Sequence, residues 1–219
     1  MRLLSVNLGR GRAIPRAGKP RKTGIYKLPA DGAVRVTAEG LEGDEILDRE
    51  NHGGVDQAVY VYGAPDYEWW SEALDRELRP GAFGENLTIS GLRSADALIG
   101  DRLLIGSAIL EVTAPRIPCV TLATRMDDPA FLKRFRTAER PGVYCRVIRE
   151  GEVRVGDAVS YQGYQGDAVS AVEMFRDFFE PDLSEPTIRR HLDAPIAMRA
   201  RIDLERRLTK FLDRSVKSG

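Results

Sequence analysis

Residues 100–113 read Gly-Asp-Arg-Leu-Leu-Ile-Gly-Ser-Ala-Ile-Leu-Glu-Val-Thr, two short apolar runs that are each preceded by glycine. Glycine adopts backbone conformations that other residues avoid, and Asp101 can accept hydrogen bonds from backbone amides in a turn. The same Gly-Asp pair recurs at residues 43–44 and 156–157, and the last pair also precedes a β-like run. We therefore predict that these pairs are structural turns.

Short β-like runs punctuated by glycine extend outward from this stretch, from the N-terminus to about residue 165. The predicted strands are Arg2–Leu8, Ala33–Thr37, Ala58–Tyr62, Asn86–Ile89, Arg102–Ile105, Ile109–Thr113, Tyr144–Ile148 and Val159–Tyr161. Many short strands with glycine turns are typical of a barrel or a sandwich. Helical spacing predicts two helices among them, at Pro65–Leu78 and Asp127–Phe135. The predicted class is mainly β within an α+β fold.

After residue 165 the apolar residues recur every three or four positions. This spacing predicts an amphipathic helix that Asp167 caps, a second helix over about 184–192 and a third that Pro195 opens. We therefore divide the chain into a β-rich domain at residues 1–164 and a small three-helix domain at residues 165–219.

The three-helix segment is basic, since residues 186–219 carry seven Arg and two Lys against three Asp and one Glu. Such a surface can bind nucleic acid, here through a helix-turn-helix arrangement, or an acidic partner. The acidic residues are interleaved with the basic ones, as on ordinary solvated helix faces. Nucleic-acid binding is therefore the less favoured interpretation.

The whole chain of 219 residues carries 33 basic and 33 acidic side chains, so any anion site must be local. Two cysteines and an N-terminus without an apolar signal core favour a reducing cytoplasm without disulfides. No apolar run approaches the roughly 18 residues that a membrane-spanning helix needs. We expect a cytoplasmic protein without a membrane partner.

Cys119 lies in the run Ala-Pro-Arg-Ile-Pro-Cys-Val-Thr-Leu at residues 114–122. The prolines favour an extended, rigid approach to the thiol. Arg116 can stabilise a thiolate or hold an anion beside it. A buried structural cysteine is the alternative interpretation.

A second motif, Lys22-Thr23-Gly24-Ile25-Tyr26-Lys27, places two lysines and a hydroxyl around a glycine. Ammonium groups and open backbone amides can bind an anion such as phosphate. In the alternative interpretation, Lys22 and Lys27 are solvent-exposed residues of a loop and a strand and bind no ligand.

Asn51-His52-Gly53-Gly54-Val55-Asp56 contains one of only two histidines, beside a glycine pair. Glycines let backbone approach a ligand, and His52 can exchange a proton near neutral pH. Asp56 can orient His52 or cap the turn. A histidine that stabilises a turn is equally compatible with this pattern.

Gly84-Glu85-Asn86 places a carboxylate and a carboxamide at a loop–strand junction. Glu85 can orient a base, and Asn86 offers donors and acceptors to a heterocycle; turn chemistry is the alternative. The spacing of Cys and His does not form a zinc set, and P-loop and dinucleotide glycine patterns are absent. A bound metal would therefore take most of its ligands from a cofactor.

Taken together, these motifs and Gly-Val-Tyr-Cys-Arg-Val at residues 142–147 resemble MOSC domain proteins, relatives of the C-terminal domain of molybdenum cofactor sulfurase. The resemblance is strongest to the stand-alone YiiM-like branch, which carries three helices after its domain. It implies a MOSC-type β-barrel with peripheral helices that binds the molybdenum cofactor. Cys119 would ligate molybdenum, a role that suits a soft thiolate.

The resemblance also implies roles for the other motif residues. Lys22 and Arg116 would bind the pterin phosphate or oxo groups on the metal. The remaining candidates on the pterin or substrate side are Thr23, Gly24, His52, Gly53, Gly54, Glu85 and Asn86. Of these, His52 and Glu85 join Cys119 as candidate catalytic residues, whereas Cys145 belongs to the core.

For the YiiM-like branch the resemblance implies reduction of N-hydroxylated bases such as 6-N-hydroxylaminopurine, with His52 assisting proton delivery. The sequence has no flavin or nicotinamide fingerprint, so the electrons would come from a separate reductase, for which the basic helices offer a docking surface. Pyridoxal phosphate is not expected, because no domain for it is present. A homodimer is compatible with edge strands and helices. The alternative function is a molybdenum cofactor carrier or sulfur-transfer module without turnover of a free substrate.

Overall fold

In residues 1–14, 21–47 and 53–217, which the computed structural model describes, the chain forms thirteen strands, six α-helices and a 3-10 turn at Val55–Gln57. The strands are β1 Leu3–Gly9, β2 Arg12–Ile14, β3 Arg21–Thr23, β4 Lys27–Pro29, β5 Ala33–Thr37, β6 Gly40–Leu41, β7 Val59–Gly63, β8 Leu87–Ile89, β9 Arg102–Ile105, β10 Ala108–Pro115, β11 Val143–Arg149, β12 Gly151–Arg154 and β13 Val159–Gln162. The helices are α1 Ala64–Ala73, α2 Val120–Met126, α3 Phe131–Ala138, α4 Ala171–Phe179, α5 Glu185–Asp193 and α6 Met198–Lys217. All eight predicted strands are present.

Eight strands form one sheet in the order β13-β9-β10-β11-β7-β8-β1-β4, in which only β7 and β8 pair in parallel. The first strand approaches the last where Arg2 bridges Ala158 and the Leu3 amide donates to the Asp157 carbonyl at 2.9 Å. The predicted α+β class is confirmed. The predicted barrel needs one correction. Within the described residues the edge strand β13 contacts the start of β1, whereas the other edge strand is β4, so the sheet does not close into a barrel.

The Gly-Asp pairs at residues 43–44, 100–101 and 156–157 are turns, as predicted. Their glycines have φ values between +85° and +93°, a region that favours glycine. Each aspartate accepts a hydrogen bond from a backbone amide, at 2.7 Å for Asp44, 2.6 Å for Asp101 and 2.8 Å for Asp157. The donor to Asp44 is Gly9 at the end of β1, so this turn also joins two distant segments.

A cluster of buried aromatic side chains packs the helices against the sheet. Trp70 on α1 lies 5.1 Å from Phe131 and 5.9 Å from Phe135 on α3, measured between ring centroids. The Trp70 Nε1 donates to the Tyr62 hydroxyl at 2.9 Å, and Phe83 stacks on Tyr62 at 4.5 Å. This packing fixes the loop that leads into β8.

The helices between the strands differ from the prediction at their ends. α1 ends at Ala73, before the predicted Leu78. The sequence did not show α2, whose C-cap Asp127 has a left-handed φ of 54°. Asp127 therefore ends α2 instead of starting the next helix, and α3 begins at Phe131.

The last three helices were predicted, and α5 starts as expected, but the starts of α4 and α6 differ. Ser170 caps α4 by accepting from the Glu173 amide at 3.0 Å, so Asp167 is not the cap. α6 begins at Met198, and Ile196, which the spacing placed in that helix, is buried in the main core at 2% exposure.

These helices are attached to the β-rich part by a β-bridge and by a hydrogen bond to a side chain. Ser170 bridges Leu98, and Asp56 accepts from the Met198 amide at 2.6 Å. The boundary at residue 165 stays a prediction. Among the described helices, none combines the length and apolar character needed to cross a bilayer.

Candidate functional site

Seven of the predicted site residues line one open cleft beside β3 and after the end of β10. They are Lys22, Thr23, Gly24, Gly53, Asn86, Arg116 and Cys119. These residues come from four separate segments of the chain, so the fold brings together what the sequence shows only as short motifs.

The backbone of Gly24 forms part of the cleft floor by close packing. A Cβ on Gly24 would lie 2.0 Å from the carbonyl oxygen of Glu45, and one on Gly9 would lie 2.0 Å from the carbonyl oxygen of Gly24. Glycine is thus required because three backbone segments touch. Thr23 supports the same loop, since its hydroxyl accepts from the Ile25 amide at 3.2 Å.

A buried ion pair lies beside this floor. Lys27 binds Asp44, and the two side chains are 8% and 3% exposed. Asp44 also accepts from the Asn86 Nδ2 at 2.8 Å, while the Asn86 Oδ1 accepts from the Tyr60 amide at 3.1 Å. Burial lowers the pKa of Lys27, and the Asp44 carboxylate opposes that shift. The network fixes Asn86 and holds one cation in the wall.

Arg116 is buried in the opposite wall. Its guanidinium donates to the Phe83 carbonyl at 2.6 Å and lies 4.9 Å from the centroid of the Tyr60 ring. Tyr60 pairs in register with Tyr144 on β11, with ring centroids 5.0 Å apart. The Arg116 Nε has no hydrogen-bond partner among the described atoms. A buried donor in this state can serve a ligand.

Cys119 is half-buried and follows β10 in an extended conformation, with φ −129° and ψ 166°, immediately before α2. The extended approach that the two prolines predict is therefore present. Cys145, in contrast, is fully buried on β11, as expected for a core residue, and burial raises the pKa of its thiol.

Glu85 does not line the cleft. It is fully buried and accepts hydrogen bonds from the Tyr67 hydroxyl and the Gly81 amide, both at 2.6 Å, and from the Thr88 hydroxyl at 2.9 Å. Burial raises the pKa of Glu85, and these hydrogen bonds oppose the rise. This arrangement gives Glu85 a positioning role behind the loop that carries Asn86.

Among the described residues, Gly54 and Asp56 do not line the cleft. Gly54 lies before the 3-10 turn with φ 82°. His52 lies outside the described residues. Asp56 pairs with Arg146 at 3.1 Å and binds the start of α6, so it anchors the last helix.

No group of three or more His, Cys, Asp or Glu side chains in the described parts of the chain is arranged to hold a metal ion. The family model for the MOSC domain matches residues 48–160, which include Asn86, Arg116 and Cys119. The chain belongs to the MOSC domain family. MOSC domains are associated with binding of the molybdenum cofactor.

Proteins similar to this MOSC chain cover most of its length. YflK of Bacillus subtilis is 42% identical over 154 residues, 70% of this chain and 70% of YflK. YiiM of Escherichia coli is 33% identical over 153 residues, 68% of this chain and 67% of YiiM. A protein of Gibberella moniliformis named "Reductase" is 35% identical over 157 residues, 66% of this chain but 28% of that protein. The crystal structure of YiiM from Geobacillus stearothermophilus has a TM-score of 0.78 at 25% identity and covers 94% of this chain and 98% of that chain.

The residues of the MOSC cleft that the sequence did not identify as site residues include Lys27, Asp44, Tyr60 and Tyr144. Lys27 and Asp44 lie in motifs that were noticed, but a local pattern cannot show that the two side chains meet. The two tyrosines lie in predicted strands, and only the pairing of β7 with β11 brings them together.

Proposed function

We propose that the protein is a molybdenum-cofactor-dependent reductase that converts N-hydroxylated compounds R–NHOH to R–NH₂, with bases such as 6-N-hydroxylaminopurine as the substrate class. The observation that carries this proposal is that Cys119, Lys22, Asn86 and Arg116 line one cleft, which brings a thiol together with two cationic side chains. MOSC membership and the name of the Gibberella relative support it.

The residues of the cleft fit the molybdenum cofactor by their chemistry. A thiolate at Cys119 is a soft ligand for the metal, which would take its other sulfur ligands from the pterin. Lys22 is exposed and the Arg116 Nε lacks a partner within the described structure, so both can bind phosphate or oxo groups. When bound, the cofactor supplies a Lewis acid that exchanges two electrons.

The reaction is R–NHOH + 2e⁻ + 2H⁺ → R–NH₂ + H₂O, in which the N–O bond breaks and the substrate is reduced. A separate reductase supplies the electrons in this proposal. Asn86, held by Asp44 and the Tyr60 amide, fixes the wall of the cleft beside the ligand. The paired rings of Tyr60 and Tyr144 limit water on the Arg116 side, where a drier environment strengthens the charge interaction. His52 is the proposed proton donor.

Steady-state reduction of 6-N-hydroxylaminopurine by cofactor-loaded protein and a chemical electron donor tests this function. The wild type is expected to release the amine, and Cys119→Ser is expected to lose the activity while keeping its far-ultraviolet circular dichroism. Cys145→Ala is the matched control, because it removes the other thiol from the core behind the cleft. A fully active Cys119→Ser variant removes Cys119 from the mechanism. Wild-type protein that retains cofactor without turnover is instead a carrier or sulfur-transfer module.

A further inference from the structure

Two arginines from distant segments lie over one tyrosine ring beside the cofactor cleft. The guanidinium carbon of Arg12 on β2 lies 4.7 Å from the centroid of the Tyr26 ring, and that of Arg125 on α2 lies 4.9 Å from the same centroid. Arg12 pairs in register with Thr23, which lines the cleft, as does the exposed Lys22. What we call the arginine–tyrosine surface consists of Arg12, Lys22, Tyr26 and Arg125.

The two guanidinium charges of this surface lack a compensating carboxylate. Within the described residues, neither Arg12 nor Arg125 forms an ion pair, and the buried Nε of Arg125 has no hydrogen-bond partner. Since both carbons lie close to one centroid, the two positive charges are at most about 10 Å apart, roughly one Debye length at 0.1 M salt. Salt therefore screens their repulsion only in part, and a negatively charged partner relieves it.

The acidic side chains of the neighbouring segments do not neutralise the surface. Glu45 accepts from the Gly11 amide at 2.7 Å, and Asp128 pairs with Arg134 at 3.4 Å. Asp127, the C-cap of α2, adds one carboxylate beside three cations. The surface therefore stays positive.

The basic helices α5 and α6, which the sequence indicates as a docking surface, differ in this respect. Arg189 pairs with Glu185 at 2.7 Å, and Arg207 pairs with Asp203 at 2.6 Å. An arginine that already has a carboxylate partner attracts an acidic protein weakly, because the pair is close to neutral. Charge complementarity therefore favours the arginine–tyrosine surface over these arginines.

We propose that the arginine–tyrosine surface is the docking site of the electron donor, a protein with an acidic face. This inference rests on the proposed function, in which a separate protein supplies the two electrons that cleave the N–O bond and is itself oxidised. α2 begins directly after Cys119, and Arg125 lies on it. At 1.5 Å per residue, Arg125 is about 9 Å along the helix from Cys119, so a donor that binds here lies close to the cofactor cleft.

Reduction of 6-N-hydroxylaminopurine by cofactor-loaded protein, measured with two electron donors, tests this surface. Flavodoxin is an acidic FMN protein, whereas reduced methyl viologen is a small cation that needs no docking site. Arg12→Glu is expected to raise the KM for flavodoxin at least about fivefold, because an attraction becomes a repulsion, and added salt should narrow the difference. The kcat at saturating flavodoxin should not change, and the rate with methyl viologen should not fall.

Arg154→Glu is the matched control, since Arg154 is an exposed arginine on β12 that does not line the cleft. It is expected to keep the wild-type KM for flavodoxin. Equal KM values in Arg12→Glu and Arg154→Glu would overturn the proposal. So would a wild type that turns over with methyl viologen but accepts no electrons from flavodoxin. An equal loss of rate with both donors in Arg12→Glu would make Arg12 part of the catalytic machinery and would also overturn it.

Calorimetric titration of the protein with flavodoxin separates this proposal from the proposed function, because binding requires no turnover. Salt-sensitive binding that Arg12→Glu weakens and Arg154→Glu does not would support the surface. If reduction then failed with both donors, only the proposed function would be rejected. Absent binding, or tighter binding of duplex DNA than of flavodoxin at the same salt concentration, would reject an acidic protein as the partner.

Discussion

Replacing Asp44 with alanine removes the acceptor that joins three segments beside the cofactor cleft. The Asp44 side chain is 3% exposed and pairs with Lys27, which is 8% exposed. It also accepts from the Gly9 amide at 2.7 Å and from the Asn86 Nδ2 at 2.8 Å. The substitution leaves all three donors without this partner.

Breaking a buried ion pair by removing one partner costs about 3–5 kcal/mol, because the other charge stays buried without compensation. We expect Asp44→Ala to lower the free energy of unfolding by this amount. Urea denaturation of the cofactor-free protein, followed by tryptophan fluorescence, measures the loss. Asp44→Asn keeps an acceptor for the Gly9 amide and is expected to lose less.

The loss of unfolding free energy in Asp44→Ala should become smaller as the pH rises. Burial holds the pKa of Lys27 below its usual 10.5, and without Asp44 the main opposition to that shift is gone. Between the folded and unfolded pKa values the unfolded chain binds more protons, so stability rises with pH in that window. The deficit of Asp44→Ala relative to wild type should therefore shrink as the pH rises towards 10.5.

A second substitution tests whether the unpaired Lys27 charge causes the loss of unfolding free energy in Asp44→Ala. Lys27→Met in the Asp44→Ala background removes the unpaired charge, and we expect it to recover a large part of the lost stability. Additive effects of the two substitutions, together with a deficit that does not change with pH, would refute this reasoning.

Three further predictions concern the support of the cleft and its cation. Glu85→Ala should lower the free energy of unfolding by at least about 3 kcal/mol, because three donors lose their acceptor. Glu85→Gln should retain reductase activity. If the Gln variant is stable and holds cofactor but is inactive, Glu85 is catalytic. Trp70→Ala should destabilise the protein by about 3–5 kcal/mol in thermal or urea unfolding, since Trp70 is 1% exposed, and a change below 1 kcal/mol would contradict this packing. Arg116→Lys should reduce pterin retention after dialysis although charge is kept, because lysine cannot reproduce the fork of donors; unchanged retention would remove Arg116 from cofactor binding.

The sheet could be predicted wherever a strand is long enough to show its pattern. All eight runs that the sequence indicates are strands. Five of them, for example Arg102–Ile105, lie within or match the observed bounds. The strands that the sequence did not predict, such as Gly40–Leu41 and Gly151–Arg154, have two to four residues. This is too short for the alternation of buried and exposed residues to be recognised. α2 escaped because it has seven residues directly after Pro118 and Cys119.

The cleft could be predicted only as a set of unconnected motifs. Arg116 and Cys119 are close in sequence, but Lys22 and Asn86 reach them through the sheet order, which no local pattern contains. Glu85 shows that a local pattern can also suggest a site residue that the fold excludes from the cleft. A carboxylate next to Asn86 looks available for chemistry, and the turn that buries it against Tyr67 is set by the aromatic core.

The content of molybdenum and pterin after purification from a host that makes the cofactor tests the central claim most directly, in wild type beside Cys119→Ser and Cys145→Ala. The account predicts one molybdenum and one pterin per chain in the wild type and in Cys145→Ala, with molybdenum reduced in Cys119→Ser. Wild-type protein that holds neither, even after incubation with fresh cofactor, would contradict it.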